Sequence, residues 1–85
     1  MSSLDKVFAA LLSGRSDAYV RFSDLSRILK ALGFAERTKG GHHIFTRKGV
    51  VEIINLQQLA GGKAKTYQVK QVRQLITKYG LSLPE

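Results

Sequence analysis

The spacing of the apolar residues changes partway along this chain, and that change restricts the folds open to it. Over residues 4–12 apolar side chains recur at intervals of three and four, as on one face of an amphipathic helix. The same spacing returns over residues 25–32 and 69–79. Between the second and third stretches the apolar runs are short and separated by glycines. The pattern predicts three helices, with a group of strands between the second and the third.

Polar residues and glycines mark where each predicted helix begins and ends. A serine or threonine before an apolar stripe is a common N-cap, and a glycine after it is a common stop. The predicted N-caps are Ser2 or Ser3, Ser23 and Thr66, and the predicted stops are Gly14, Gly33 and Gly80.

The middle of the chain predicts a meander of three antiparallel strands. Residues 34–39, 41–47 and 50–55 are brief segments separated by Gly40-Gly41 and Lys48-Gly49. The expected fold is therefore α+β, in the order α-α-β-β-β-α. Helices would cover one face of the sheet and leave the other face partly in contact with water.

Length and composition predict one small domain over residues 1–85. A chain of 85 residues without cysteine cannot be held by disulfides, so packing of its 44% apolar residues must hold the core. The absence of cysteine is compatible with a reducing cytoplasm, where we expect the protein. No stretch approaches the roughly 20 apolar residues of a membrane span.

The positive charge is concentrated in the second half of the chain. The net charge is +8, and residues 37–84 carry nine basic side chains against one acid, Glu52, whereas residues 1–36 carry five basic and four acidic. A solvated surface that keeps the protein soluble explains such an excess of basic residues as readily as binding of a polyanion does. Because the first helix lacks a lysine-rich face, nucleic acid is a better expected partner than a membrane.

The polar side of the third predicted helix offers one set of phosphate contacts. Lys70, Arg73 and Thr77 share a helix face, and Lys63 and Lys65 precede the helix start, where backbone amides also favour anions. The alternative is that these side chains only solvate the helix.

The two histidines, His42 and His43, adjoin within a predicted strand, so their side chains should point to opposite faces. They cannot easily chelate one metal, and we expect no metal site. Imidazole ordinarily titrates near pH 6.5, so it can take a proton from a ribose 2′-hydroxyl or give one to a leaving 5′-oxygen. Nearby cations would stabilise the charge on the phosphate. Buried or merely exposed histidines are nonetheless commoner than catalytic ones.

One segment carries a family resemblance. Residues 29–45 combine a helix end, Gly33-Phe34, Arg37 and the run Lys-Gly-Gly-His-His-Ile-Phe at positions 39–45. This combination resembles the signature of HicA-type mRNA interferase toxins, in which a strand-borne histidine follows a Gly-Ser or Gly-Gly pair. His42 matches that histidine. The likeness continues through residues 52–57 and 64–73 and covers roughly residues 20–81, with the first helix (residues 1–14) outside the common core.

The resemblance implies a double-stranded-RNA-binding-domain-like fold and metal-independent, cofactor-free cleavage of mRNA that stops translation. It also implies neutralisation by a HicB-type antitoxin protein. The chain departs from the family in two places. Gly41 stands where many relatives have serine, and Asn-Leu-Gln at positions 55–57 occupies the region where compact members have a further histidine.

We therefore expect His42 to be the catalytic acid or base. The expected RNA contacts are Arg37, Lys39, Lys70 and Arg73, assigned by charge, with His43 beside them. A non-catalytic RNA-binding module of the same fold is the alternative function. A third is a protein-interaction domain whose basic face meets an acidic partner.

Overall fold

The helices and strands appear in the predicted order in a computed structural model that describes residues 3–84. The helices are α1 (Ser3–Ser13), α2 (Phe22–Ala31) and α3 (Thr66–Tyr79), and the strands are β1 (Ala35–Lys39), β2 (His42–Arg47) and β3 (Val50–Leu56). Short 3₁₀ turns over Asp17–Tyr19 and Ala60–Gly62 lie in the predicted links. The α+β class and the order α-α-β-β-β-α are thereby confirmed.

The three strands form one antiparallel sheet in the order β1-β2-β3. Lys39 pairs with His42 and Arg37 with Ile44 across the first hairpin, and Ile44 pairs with Asn55 across the second. The pairing of β2 with β3 is irregular between Phe45 and Arg47. Because the β1–β2 pairing is regular up to the turn, the register fixes which side chains lie beside His42.

The turn between β1 and β2 consists of Gly40 and Gly41, whose φ angles are +56° and +83°. A two-residue hairpin loop with both φ values positive is the type I′ turn, whose twist matches that of the strands. A side chain at either position would be strained in this conformation. Glycine at position 41 therefore suits the turn that this chain forms.

The core lies between one face of the sheet and the three helices. Its fully buried side chains come from every helix and from two of the strands: Leu11, Leu25, Ile28, Leu29, Phe45, Ile54, Leu56, Val69 and Val72. On the opposite face, Val51 is 89% exposed and Ile53 is 63% exposed. The predicted arrangement, with one face of the sheet covered and the other open, is confirmed.

The helix stops follow the glycines, whereas two predicted N-caps were wrong. Gly33 and Gly80 have positive φ and end α2 and α3. Helix α2 begins one residue before Ser23, and Arg21, which precedes it, makes no side-chain cap bond. The reason is tertiary, since Arg21 is held extended by a bridge to Lys63 and the helix starts directly after it. Thr66 is likewise the first residue of α3 and not its cap.

Within residues 3–84, no helix is both long enough and apolar enough to cross a lipid bilayer.

Candidate functional site

His42 begins β2 directly after the glycine turn, and its half-buried imidazole lies between two amide side chains. Its Nδ1 is 3.0 Å from Oδ1 of Asn55, and its Nε2 is 3.4 Å from Nε2 of Gln57. An amide oxygen can only accept, so this arrangement assigns the ring proton to Nδ1. Nε2 then carries the lone pair and accepts from the Gln57 amide. This hydrogen-bond pattern leaves Nε2 as the ring nitrogen that can accept a proton.

The orientation of the Gln57 amide is itself fixed by a lysine. Nζ of Lys65 donates to Oε1 of Gln57 at 2.7 Å, which turns the amide nitrogen toward His42. The distance of 3.4 Å between Nε2 of Gln57 and Nε2 of His42 is longer than the ~2.7–3.2 Å between donor and acceptor in a usual hydrogen bond from an N–H group. A hydroxyl donor can therefore replace Gln57 at Nε2 at little cost.

Gln68 supports this group from α3. Its side chain is only 4% exposed, and its Nε2 donates to the Asn55 carbonyl at 3.0 Å. Its Oε1 accepts from the Gln57 backbone N–H at 3.3 Å. These two bonds pair one carbonyl and one N–H at the outer edge of the chain around the end of β3, so they hold Asn55 and Gln57 in place beside His42.

Two of the predicted RNA contacts lie on the same face as His42. Lys39 is its cross-strand partner, and Arg37 follows two residues away on β1. Directly opposed side chains of an antiparallel pair are only about 5 Å apart at Cβ, so the Lys39 ammonium is within reach of a phosphate at His42. Arg37 also lines a shallow cavity of about 280 Å³ together with Ala35 and Ile44.

His43 faces the helices and is part of a charged network. Its Nδ1 is 2.7 Å from the Glu36 carboxylate, which also accepts from Lys30 at 2.7 Å. Its ring packs on Phe22, with 4.5 Å between the centroids. The hydrogen bonds from Lys30 and His43 hold the pKa of Glu36 below its usual value. The predicted opposite orientation of the two histidines agrees with this, but the expected RNA contact of His43 is not supported, because the side chain lies on the helix face of the sheet.

Arg73 also has a different environment from the one expected. Its guanidinium donates to both carboxylate oxygens of Asp17, at 2.7 and 3.0 Å, and to the Leu11 carbonyl at 3.2 Å. This pairing lowers the pKa of Asp17 and raises that of Arg73. Arg73 therefore joins α3 to α1 and to the first 3₁₀ turn, and these contacts place it outside the candidate site. Lys70, one turn earlier, is exposed.

Sequence reasoning identified His42 but not the amides around it. Asn55 and Gln57 alternate with buried Leu56, so strand periodicity would have placed both on the open face. Their proximity to His42 depends on the β2–β3 register, which no local signal in the sequence gives. The sequence left open whether Lys65 contacts phosphate or is only solvated, and in the structure it orients Gln57.

Comparison with family models, curated proteins and solved structures found no match to this chain. The likeness to HicA-type toxins therefore rests on the sequence motifs described above. Among residues 3–84, no group of three or more histidine, cysteine or acidic side chains is arranged to hold a metal ion.

Proposed function

We propose that this protein is a HicA-like toxin, an endoribonuclease that cleaves mRNA without a metal and thereby inhibits translation. The observation that supports this best is the imidazole of His42 on the open face of the sheet, whose Nδ1 is held by Asn55 and whose Nε2 makes the long contact with Gln57. Lys39 lies beside it in the sheet. A histidine that is held in position next to a cation suits attack by a ribose hydroxyl on its own phosphodiester.

In the proposed reaction, Nε2 of His42 accepts the proton of a ribose 2′-hydroxyl while the 2′-oxygen attacks the adjacent phosphorus. The bond from phosphorus to the 5′-oxygen of the next nucleotide breaks, and the imidazolium returns its proton to that oxygen. The products are a 2′,3′-cyclic phosphate and a 5′-hydroxyl. Such proton transfer contributes about 10²–10⁴ in rate.

The surrounding side chains have separate roles in this scheme. Asn55 accepts from Nδ1–H, so it stabilises the imidazolium between the two proton transfers. Lys39 and Arg37 stabilise the negative charge that develops on the phosphate oxygens. Lys70, on the exposed side of α3, extends the contact with the RNA backbone.

A non-catalytic RNA-binding module is the second candidate, and one observation favours it. The side chains that contact His42 are the amides of Asn55 and Gln57, and neither can act as a second acid or base. On this alternative, the same open face would grip RNA through its phosphates without cutting it.

We also propose a protein partner, an antitoxin of the HicB type, and a cytoplasmic site of action, where mRNA is translated. Val51 and Ile53 project from the open face next to Asn55 and offer apolar contact area to such a partner. An acidic antitoxin would complement the net charge of +8.

The proposed reaction is tested by the ends of the RNA fragments. Purified protein should convert a labelled RNA into fragments with 2′,3′-cyclic phosphate and 5′-hydroxyl ends, and should leave DNA of the same sequence intact, because DNA lacks the attacking hydroxyl. Fragments that end in 5′-phosphates, or cleavage of the DNA, would contradict the role given to His42. Binding of the RNA without fragments would favour the non-catalytic module.

A further inference from the structure

Two tyrosines project into solvent on either side of one short segment. Tyr19 is 76% exposed and Tyr67 is 64% exposed, whereas Phe22, Phe34 and Phe45 are buried. An ammonium group lies over each exposed ring, with Nζ of Lys63 5.7 Å from the Tyr19 centroid and Nζ of Lys65 6.0 Å from that of Tyr67. Neither ring packs in the core, so both are available to contact a ligand.

The segment between the two rings is extended and held in place. Lys63 and Lys65 both have extended backbone angles, and Ala64 between them is 3% exposed. The Ala64 N–H donates to the Val20 carbonyl at 3.0 Å. Because side chains alternate along an extended chain and Ala64 points inward, both lysines project outward on the same side. Tyr19, Lys63, Lys65 and Tyr67 thus form a row, which we call the tyrosine–lysine row.

One end of this row is connected to His42. Lys65 donates to Gln57, and Gln57 contacts Nε2 of His42. Tyr67 is also linked to Gln57, because the Tyr67 hydroxyl lies 3.5 Å from Nε2 of Gln68, and Gln68 accepts from the Gln57 backbone. A polymer lying along the row would therefore continue toward the imidazole.

We propose that the tyrosine–lysine row binds unpaired nucleotides of single-stranded RNA and directs the strand to His42, an inference that rests on the proposed function. The tyrosine rings stack on bases, and Lys63 and Lys65 contact the phosphates between them. Exposed aromatic rings interleaved with cations are the chemistry by which proteins bind single strands. The bases of a duplex already stack on one another and are not available to these rings, so the row selects unpaired RNA.

The test measures binding separately from cleavage. In the full chain carrying His42→Ala, which cannot cut, fluorescence anisotropy of a labelled oligoadenylate of about twelve nucleotides gives the affinity for a single strand. The same strand annealed to oligouridylate gives the affinity for a duplex. We expect the single strand to bind more tightly. Equal affinity, or preference for the duplex, would overturn the proposal.

The tyrosine variants test the stacking itself. Tyr67→Leu should weaken binding of the single strand by about ten- to a hundredfold, because stacking on one base is worth that much. Tyr67→Phe is the matched control, since it keeps the ring and should bind within about twofold of the parent. Equal affinities of the leucine and phenylalanine variants would overturn the proposal. Thermal unfolding by circular dichroism confirms that both variants are folded.

The lysine and cleavage measurements separate the two proposals. Lys63→Gln should reduce the slope of log affinity against log salt by about 0.7, whereas Tyr67→Leu should leave it unchanged. If the protein with His42 intact cuts RNA while Tyr67→Leu binds as tightly as Tyr67→Phe, the row fails and the nuclease stands. If Tyr67→Leu loses binding, Tyr67→Phe keeps it and no cleavage is found, the row stands and the nuclease fails.

Discussion

The two adjacent histidines lie in opposite kinds of surroundings. His42, on the open face, contacts two neutral amides, whereas His43, on the helix face, contacts a carboxylate that Lys30 also holds. His43 thus belongs to a charged network with Glu36 and Lys30, whereas the partners of His42 carry no charge. The comparison shows that two neighbours in sequence can lie in unlike surroundings, and only those of His42 suit the proposed chemistry.

Apart from the loss of His42 itself, the largest expected effect comes from removing its amide partner. Asn55→Leu should slow cleavage by about ten- to a hundredfold, because Nδ1 loses the acceptor that keeps its proton there and stabilises the imidazolium. Single-turnover cleavage of a labelled RNA measures this rate. Gln74→Leu, the same kind of change on an exposed part of α3, is the control and should cleave at the parent rate. A normal rate in Asn55→Leu would mean that the amide does not assist His42.

A second effect distinguishes Arg73, which holds α3 to the rest of the fold, from the exposed Lys70 on the same helix. Arg73→Ala should lower the free energy of unfolding by about 1–3 kcal/mol, because buried Asp17 loses both of its hydrogen bonds from the guanidinium. Lys70→Ala should change that free energy by less than about 0.5 kcal/mol.

Urea unfolding and RNA titrations at several salt concentrations check both variants. Lys70→Ala should reduce the slope of log affinity against log salt by about 0.7. If Arg73→Ala instead reduced the slope and left the stability unchanged, Arg73 would belong to the RNA-binding face after all.

The glycine turn that positions His42 gives a smaller effect. Gly41→Ser should lower the free energy of unfolding by about 1–2 kcal/mol, since serine must adopt a positive φ. Space is available, because an added Cβ would meet nothing within 4 Å, so the cost is conformational alone. Urea unfolding measures it. An unchanged or higher stability would show that the turn can accept the serine of many HicA-type sequences.

The smallest effect concerns an ion pair of the helix face. Hydrogen bonds from Lys78 and from Tyr79 lower the pKa of Glu52 from 4.5 to about 2. Because the pKa of Glu52 is lower in the folded state than its ordinary value, the ionised carboxylate stabilises the fold at pH values above about 4.5. This stabilisation is lost as the pH falls from about 4.5 to about 2. The free energy of unfolding should decline less steeply over that window in Glu52→Gln than in the parent. Equal pH dependence would show that this pair does not contribute.

Local signals were sufficient for most of the fold. The helical stripes, the glycine stops and the two hairpin turns depend on neighbouring residues, so periodicity and turn chemistry placed each strand to within one residue of its observed ends. The caps at Ser23 and Thr66 failed because the bridge between Arg21 and Lys63 decides where the chain leaves extended structure. That bridge joins residues far apart in sequence.

The candidate site was predictable only in part. His42 stood out through its motif and its glycines. Arg73 looked equivalent to Lys70 on the helix surface, because its partner Asp17 is 56 residues away and comes near only in the folded chain. The amides of Asn55 and Gln57 likewise required the register of β2 against β3.

The central claim is that His42 carries the chemistry and His43 does not. The direct test incubates a labelled mRNA with the parent, His42→Ala and His43→Gln in the presence of EDTA, after unfolding curves have shown that all three are folded. We predict that the parent and His43→Gln cut the RNA and that His42→Ala leaves it intact. Cleavage by His42→Ala at the parent rate would contradict the claim.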